Sequence, residues 1–413
     1  MKKYLFTVIG FASLFLLANC SKEDAGEFPE KNDIVLTRAE AEVVGAGNAF
    51  AFNMFALLMD ESGGEDLLFS PLSAYTSLCM LSNGAKGDTY DQIIKTIGCD
   101  GSEKGTINST FKALTSGLGK ADRSTTLSLA NSLWIRKNFP VKDGFKATLE
   151  KDYDATVRSL DFNSSDAVYV INKWATDKTY KMIREVVKEL NGDLVIANAL
   201  YFKGKWKEKF DPSRTRKGHF DMLKGGQSRI DFMVNDGNYP YFHDSESGVE
   251  ILEMPYGNGA FVMDVILPYA DKDFILFIKD FDSVSYDRLV SRLSGTGSNT
   301  LYVSLPKFKI KTTRVSLRPS LSACGMVDAF SSLKADFGGM TDAGVSIQDI
   351  LQSAVIEVDE NGTKAAAVTT VQGNGLIPGS FIADHPFLFI IREMSSGAIL
   401  FMGVNASGSG NLQ

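Results

Sequence analysis

Three histidines, His219, His243 and His385, are the only imidazoles available for general-base or metal-ligand chemistry in 413 residues. None lies in an arrangement that would use it. There is no G-x-S-x-G elbow to present a nucleophilic serine, no H-E-x-x-H to hold zinc, and no Walker loop to cradle phosphate. Gly45-Ala-Gly-Asn-Ala-Phe50 falls one glycine short of a dinucleotide loop. His385 precedes Pro386-Phe387 in a strand-like run, which suits a packed and hydrogen-bonded ring. The sequence thus proposes no catalytic centre, no metal site and no cofactor, and the chain is expected not to be an enzyme. The segment with a chemical opportunity of another kind is Glu360–Ile377, ENGTKAAAVTTVQGNGLI. The β-prone run Ala354-Val-Ile-Glu-Val-Asp359 leads into it, and Asn361-Gly362 is a strong hairpin-turn signal. About fourteen bland residues follow, closed by Pro378. Thr363, Ala365, Ala367, Thr369 and Val371 are small and compatible with a sheet face, while Lys364, Ala366, Val368, Thr370 and Gln372 tolerate water. Such a segment can be an exposed loop or an inserted strand. By composition alone the favoured reading is an ordinary surface loop or hairpin.

The elements that must position this stretch are read from pattern. Phe50, Met54, Phe55 and Leu58 recur at helical spacing. Ser70-Pro71 opens a second helix, with proline just inside its start. Ser128–Ile135 reads as a strand, and Val168–Trp174 leads a helix to Ile183. Leu194–Phe202 is apolar enough for a strand buried on both faces. Glu253–Tyr256, Phe261–Pro268 and Leu301–Phe308 are further strands, with Pro268 and Pro306 marking ends. His385–Ile391 and Ala398–Gly403 form a last hairpin around Ser395-Ser-Gly397.

Glu360-Asn-Gly-Thr-Lys-Ala-Ala-Ala367 resembles the hinge of the serpin reactive-centre loop. Other motifs agree in order. They are Phe69-Ser-Pro-x-Ser73 with Gly84-Ala85 and Thr89, Ala130-Asn131, Ile171-Asn172-x-Trp174, Asn198 through Trp206, Cys324–Phe337, and His385-Pro-Phe387. The resemblance covers about residues 45–405. It implies an α+β serpin fold, with three β-sheets, about eight to nine helices and an exposed reactive-centre loop at about 360–380. It implies a protease inhibitor that is cut as a substrate and then inserts its freed arm into the central sheet. The hinge would comprise Glu360, Gly362, Thr363, Ala365, Ala366 and Ala367. Ser70, Ser73, Asn198 and Gln352 would form the "shutter" where the sheet parts, and Trp206 the "breach" where the loop enters. The alternatives are helix capping by Ser70 and Ser73 and core packing by Trp206. Gln352 stands where many serpins carry histidine, and Lys364 where an acidic residue is common. Counting forward from Glu360 puts the scissile bond at Leu376-Ile377. Counting back from Pro386-Phe387 gives Gly375-Leu376. Leu376 is preferred, because an apolar side chain fills a specificity pocket. Targets would be chymotrypsin-, elastase- or subtilisin-like serine proteases or papain-like cysteine proteases. A non-inhibitory binding protein, or a decoy cleaved without trapping, is the competing class.

Composition sets the remaining expectations. A hydrophobic share of 44% supports a substantial core, and a net charge of −7 without a basic cluster argues against nucleic acid. Lys2-Lys3 and the apolar run Tyr4–Ala18 form a targeting segment, residues 1–20. Leu17-Ala-Asn-Cys20 resembles a bacterial lipobox, although Asn19 stands where a small residue is usual. A plain secretory signal is the alternative. Ser21-Lys-Glu-Asp24 resembles the surface-export signal of Bacteroidetes lipoproteins. Lipidation at Cys20 would then anchor the chain at the outer membrane, facing outward. Residues 21–45 read as a tether, 46–405 as one domain and 406–413 as a disordered tail. Cys79, Cys99 and Cys324 are too few and too scattered for a framework, and no obligatory disulfide is expected. Cys79 and Cys324 read as small core residues, and the protein as a monomer.

Overall fold

The computed structural model describes residues 28–362 and 379–408. The chain enters through α1 (Arg38–Ser62), β1 (Leu67–Phe69), α2 (Pro71–Gly84), α3 (Gly87–Thr96) and α4 (Lys104–Ala121). Next come β2 (Thr126–Arg136), α5 (Asp143–Tyr153), β3 (Ala155–Leu160), α6 (Ala167–Lys178) and β4 (Leu194–Lys203). Four strands follow, β5 (Arg216–Asp221), β6 (Gln227–Asp244), β7 (Val249–Tyr256) and β8 (Phe261–Pro268). The helices α7 (Phe274–Asp280) and α8 (Ser283–Thr296) precede β9 (Ser298–Pro306), β10 (Phe308–Ser316) and α9 (Arg318–Ala323). The last strands are β11 (Leu351–Val358), β12 (Ser380–Ile382), β13 (Phe387–Glu393) and β14 (Ile399–Asn405).

The α+β class and three-sheet plan are as expected. The core sheet runs β1-β14-β13-β8-β7-β6. Every residue of β8, β13 and β14 is buried, which their unbroken apolar runs require. The long β6 leaves this sheet partway. Its Tyr241–Asp244 end pairs β7, while its earlier part pairs β5 and β9, and β12 adds in parallel to β9. The third sheet is in two pieces, β3-β2-β4 and β10-β11.

Several boundaries differ from the sequence reading. The domain begins before residue 46, because Thr37 and Glu40 form a reciprocal capping box that starts α1 at Arg38. Ile34 is buried against α4, and its N–H donates to Ser395 Oγ at 2.8 Å. At the other end Asp66 Oδ1 accepts from the N–H groups of Ala406 and Ser407, so the fold holds residues assigned to a tail. Leu301–Phe308 is two elements, since Pro306 ends β9 and the chain changes sheet at Lys307. The α6 helix stops at Lys178, and Tyr180 and Lys181 take left-handed φ values of 51° and 70°. Cys79 and Cys99 are buried free cysteines, whereas Cys324 is only half-buried beyond the end of α9.

Candidate functional site

The strand β4 is an edge, and so is β11. They lie side by side with no ladder between them among the described residues. Edge strands carry unpaired N–H and C=O groups and accept another strand readily. Leu194, Val195 and Ile196 are half-exposed rather than buried on both faces, since they line the lower part of the opening. A cavity of about 240 Å³ sits there, between Leu194–Asn198 and Gln348–Leu351.

At the upper end the halves are tied. Trp206 is 1% exposed and stacks on Tyr256, with centroids 4.3 Å apart and planes at 16°. Its Nε1–H donates to Asp359 O at 2.9 Å, and its backbone N–H donates to Asn361 O at 3.0 Å. Core packing and a tie to the Asp359–Gly362 turn thus coincide in one side chain. Gly362 bridges Lys205 with φ 118°, and a Cβ there would lie 2.3 Å from Gly204 O. Only glycine fits so close an approach. The turn itself is displaced by one residue from its expected place. Asp359 and Gly362 exchange backbone hydrogen bonds, so Glu360 and Asn361 are its corners and Gly362 its last residue. Glycine is favoured at that last position too.

Glu360 is buried rather than part of a free loop. Its carboxylate accepts from Lys307 Nζ, 2.8 Å to Oε2, and from Thr215 Oγ1 at 2.6 Å. Burial opposes the charge, but Lys307 and Thr215 outweigh it and hold the carboxyl below its ordinary value. Neither Lys307 nor Thr215 was signalled by sequence, because nothing local marks a partner so far along the chain.

At the middle of the opening, the start of α2 holds both edges. Gln352 of β11 grips Ser70 twice. Its Oε1 accepts from Ser70 N and its Nε2 donates to Ser70 O, each at 2.8 Å. Ser70 makes no side-chain cap, and its hydroxyl donates instead to Leu400 O at 2.9 Å, so side-chain capping is not its role. The Ser73 hydroxyl donates to Asn198 Oδ1 of β4, and Asn198 Nδ2 donates to Asn131 Oδ1. Asn131 Nδ2 in turn donates to Tyr153 O at 2.7 Å. Ser70, Ser73, Asn131, Asn198 and Gln352 are all buried. Ser70 with Gln352 and Ser73 with Asn198 thus make two side-chain contacts at the start of α2. Gln352→Ala would orphan the buried Ser70 N–H, at about 1–3 kcal/mol. A urea unfolding curve should show that loss as a lower midpoint.

His385 is packed and satisfied, as its context suggested. Nδ1 faces Asp384 Oδ1 at 2.8 Å and Nε2 faces Pro268 O at 2.7 Å. Desolvation works against the imidazolium, yet these two acceptors prevail and raise its pKa above the usual value.

Thr363, Ala365, Ala366, Ala367, Leu376, Ile377 and Cys20 lie outside the described residues. The structure fixes where their segment leaves and returns. Gly362 sits at the top of the opening, and the chain resumes at Gly379 to pair β9 through Ser380.

Residues 45–407 match the family model for serpins, described as serine protease inhibitors. The leukocyte elastase inhibitor of Xenopus laevis is 32% identical, over 86% of this chain and 96% of its own length. An uncharacterized serpin-like protein of Methanosarcina acetivorans is 31% identical over 98% of both chains. Among solved structures, the thermophilic serpin tengpin in its native state matches with a TM-score of 0.80 at 26% identity. That match covers 93% of this chain and 98% of tengpin.

Proposed function

The chain belongs to the serpin family, and from that premise we propose that it inhibits endopeptidases as a suicide substrate with Leu376-Ile377 as its reactive bond. A target protease attacks this peptide bond and becomes esterified to the Leu376 carbonyl. The chain beginning at Ile377 leaves with a new amino terminus. The arm from Thr363 then enters between β4 and β11 and carries the acyl-enzyme with it.

The observation that carries this reading is the opening between β4 and β11, unpaired among the described residues, with Glu360 and Gly362 fastened at its upper end. An inserted strand would pair both edges. Thr363–Leu376 is long enough. Fourteen extended residues span about 46 Å, against about 33 Å for the ten-residue β4. The small residues Ala365, Ala366 and Ala367 suit a strand arriving over a filled core, where bulk or charge would cost several kcal/mol. Leu376 suits apolar specificity pockets, hence chymotrypsin-, elastase-, subtilisin- or papain-like targets. We further propose lipidation at Cys20 and display at the outer-membrane surface. Loss of lipid labelling in Cys20→Ala would test it.

The chain lacking residues 1–20, incubated with chymotrypsin, neutrophil elastase and trypsin, should give a covalent complex stable to boiling in detergent with one of the first two. The released fragment should begin at Ile377. Cleavage there with no complex would identify a decoy. Leu376→Arg should cut the rate with chymotrypsin or elastase by at least about a hundredfold and open reaction with trypsin, since one pocket cannot serve both side chains.

A further inference from the structure

Another cavity, of about 680 Å³, lies apart from the opening between β4 and β11. No residue of β4, β11, α8 or β14 lines it. Four pieces of chain enclose it. They are the end of α1 with Gly63-Gly64, the β5–β6 turn, the β8–α7 connection, and His385-Pro386 ahead of β13. Its volume falls in the range of small-molecule sites.

The fold ties these pieces to one another. Asp221 N donates to Asp384 O at 2.8 Å, and Leu223 N donates to Ala406 O at 2.9 Å. His385 Nε2 meets Pro268 O at 2.7 Å. Gly63 and Gly64 turn the chain off α1 with φ of 62° and 79°, and a Cβ on Gly64 would lie 3.4 Å from Leu223 Cδ2. The walls are therefore held in place, and little further ordering is needed to receive a ligand. Their apolar part is adaptable. Met59 and Phe274 are buried, and Met222, Leu223 and Ile275 are half-buried. Two thioethers on flexible stems suit an irregular, jointed chain.

The charged groups around the cavity are in use, with one exception. Asp60 pairs with Lys279 at 2.8 Å, Asp273 accepts from Leu276 N at 3.0 Å, and Asp221 accepts from Gln227 Nε2 at 2.7 Å. Lys224 pairs with Glu65, and His385 lies between Asp384 and Pro268 O. The Lys272 ammonium has no partner among the described residues. Its stem packs on Gly248, where a Cβ would lie 2.5 Å from Lys272 Cε, so glycine leaves the room it occupies.

We propose that this cavity binds a medium-chain fatty carboxylate, with the alkyl chain against Met59, Met222, Leu223, Phe274 and Ile275 and the carboxylate on Lys272. The sign of the head group follows from the lysine. An anion gives its ammonium an acceptor, whereas a cation would meet only carboxylates that already have donors. No residue of the reactive loop or its hinge takes part, so the site is independent of the inhibitor reading above.

The chain lacking residues 1–20 is titrated with octanoate, decanoate and dodecanoate below their micelle concentrations, by calorimetry and by thermal unfolding. Saturable one-to-one binding is expected, tightening about fourfold for each added CH₂ that is buried. The unfolding midpoint should rise with ligand concentration. Lys272→Met should weaken decanoate at least about tenfold and leave decanol unchanged, because only the charge contact is removed. Ala270→Trp, at an exposed lining position, should abolish both by filling the cavity. Leu333→Ser removes an apolar side chain that is 95% exposed elsewhere on the surface and should change nothing. No saturable binding of any of the three acids, or equal binding by the parent, Lys272→Met and Ala270→Trp, would overturn the site. Equal loss of decanoate and decanol in Lys272→Met would overturn the carboxylate contact and with it the ligand class.

Discussion

Arg392→Met is expected to destabilise the fold by about 3–5 kcal/mol, because it leaves buried carboxylates without their cation. Arg392 lies on β13 beside β8. Its Nε donates to Asp264 Oδ2 at 2.8 Å and its Nη2 to Glu253 Oε2 at 2.6 Å. Glu253 and Asp264 are themselves cross-strand partners of β7 and β8, so two acids share one guanidinium. Tyr286 of α8 donates its hydroxyl to Asp264 Oδ2. The three charged side chains are 7%, 11% and 0% exposed, which keeps water from screening them. The excess acid shows in Glu253, whose carboxyl is pushed up to about 7, by burial first and the Asp264 charge second, against the pull of Arg392.

The sign of the pH effect follows. A carboxyl whose pKa rises on folding favours the folded state while protonated. That contribution is complete below the ordinary value of 4.5 and is lost as pH climbs through about 7. His385, also raised, contributes in the same sense, fully below 6.5 and less as pH passes its elevated value. Unfolding midpoints in urea should therefore fall between pH 5 and pH 8. Glu253→Gln should flatten that slope in part, leaving the share due to His385. An unchanged slope would mean that Glu253 stays ionised throughout. Arg392→Met with Glu253→Gln and Asp264→Asn should recover much of the single variant's loss, because an uncharged cluster no longer needs the cation.

Trp206→Ala is the second large effect, about 3–5 kcal/mol on the first unfolding transition. The loss has two sources. One is a large cavity beside Tyr256, whose ring loses its stacking partner. The other is Asp359 O, which loses the indole N–H and with it a tie between β4 and β11. Trp206→Phe keeps much of the packing and removes only the donor. It should cost about 1–3 kcal/mol, the price of one orphaned buried acceptor. Equal losses in the two variants would assign the whole effect to the hydrogen bond. A Phe variant as stable as the parent would assign it to packing.

The chain's local pattern was enough for much of the element inventory. Ser70-Pro71 marked the start of α2, Pro268 and Pro306 marked strand ends, and unbroken apolar runs marked β8, β13 and β14. The small-residue composition of the hinge was likewise legible, since side-chain bulk is a property of each residue alone. Boundaries failed where an unread local signal decided them. The Thr37–Glu40 capping box lies inside the stretch whose polar mix reads as a tether, and Glu360 rather than Gly362 is a turn corner.

Tertiary structure alone decided the partners. Glu360 reads as the first residue of a loop, yet Lys307 and Thr215 hold it in the fold from 53 and 145 positions away. Gln352 could be recognised as a substitute for histidine, but not as a two-handed grip on Ser70, 282 residues earlier. Arg392 gave no sign that it faces two acids rather than water. The division has one cause. Helix periodicity, caps and proline stops act within a few residues and leave a mark in sequence. A split between β4 and β11, and the side chains that hold it, depend on which distant strands lie adjacent, and no local pattern carries that information.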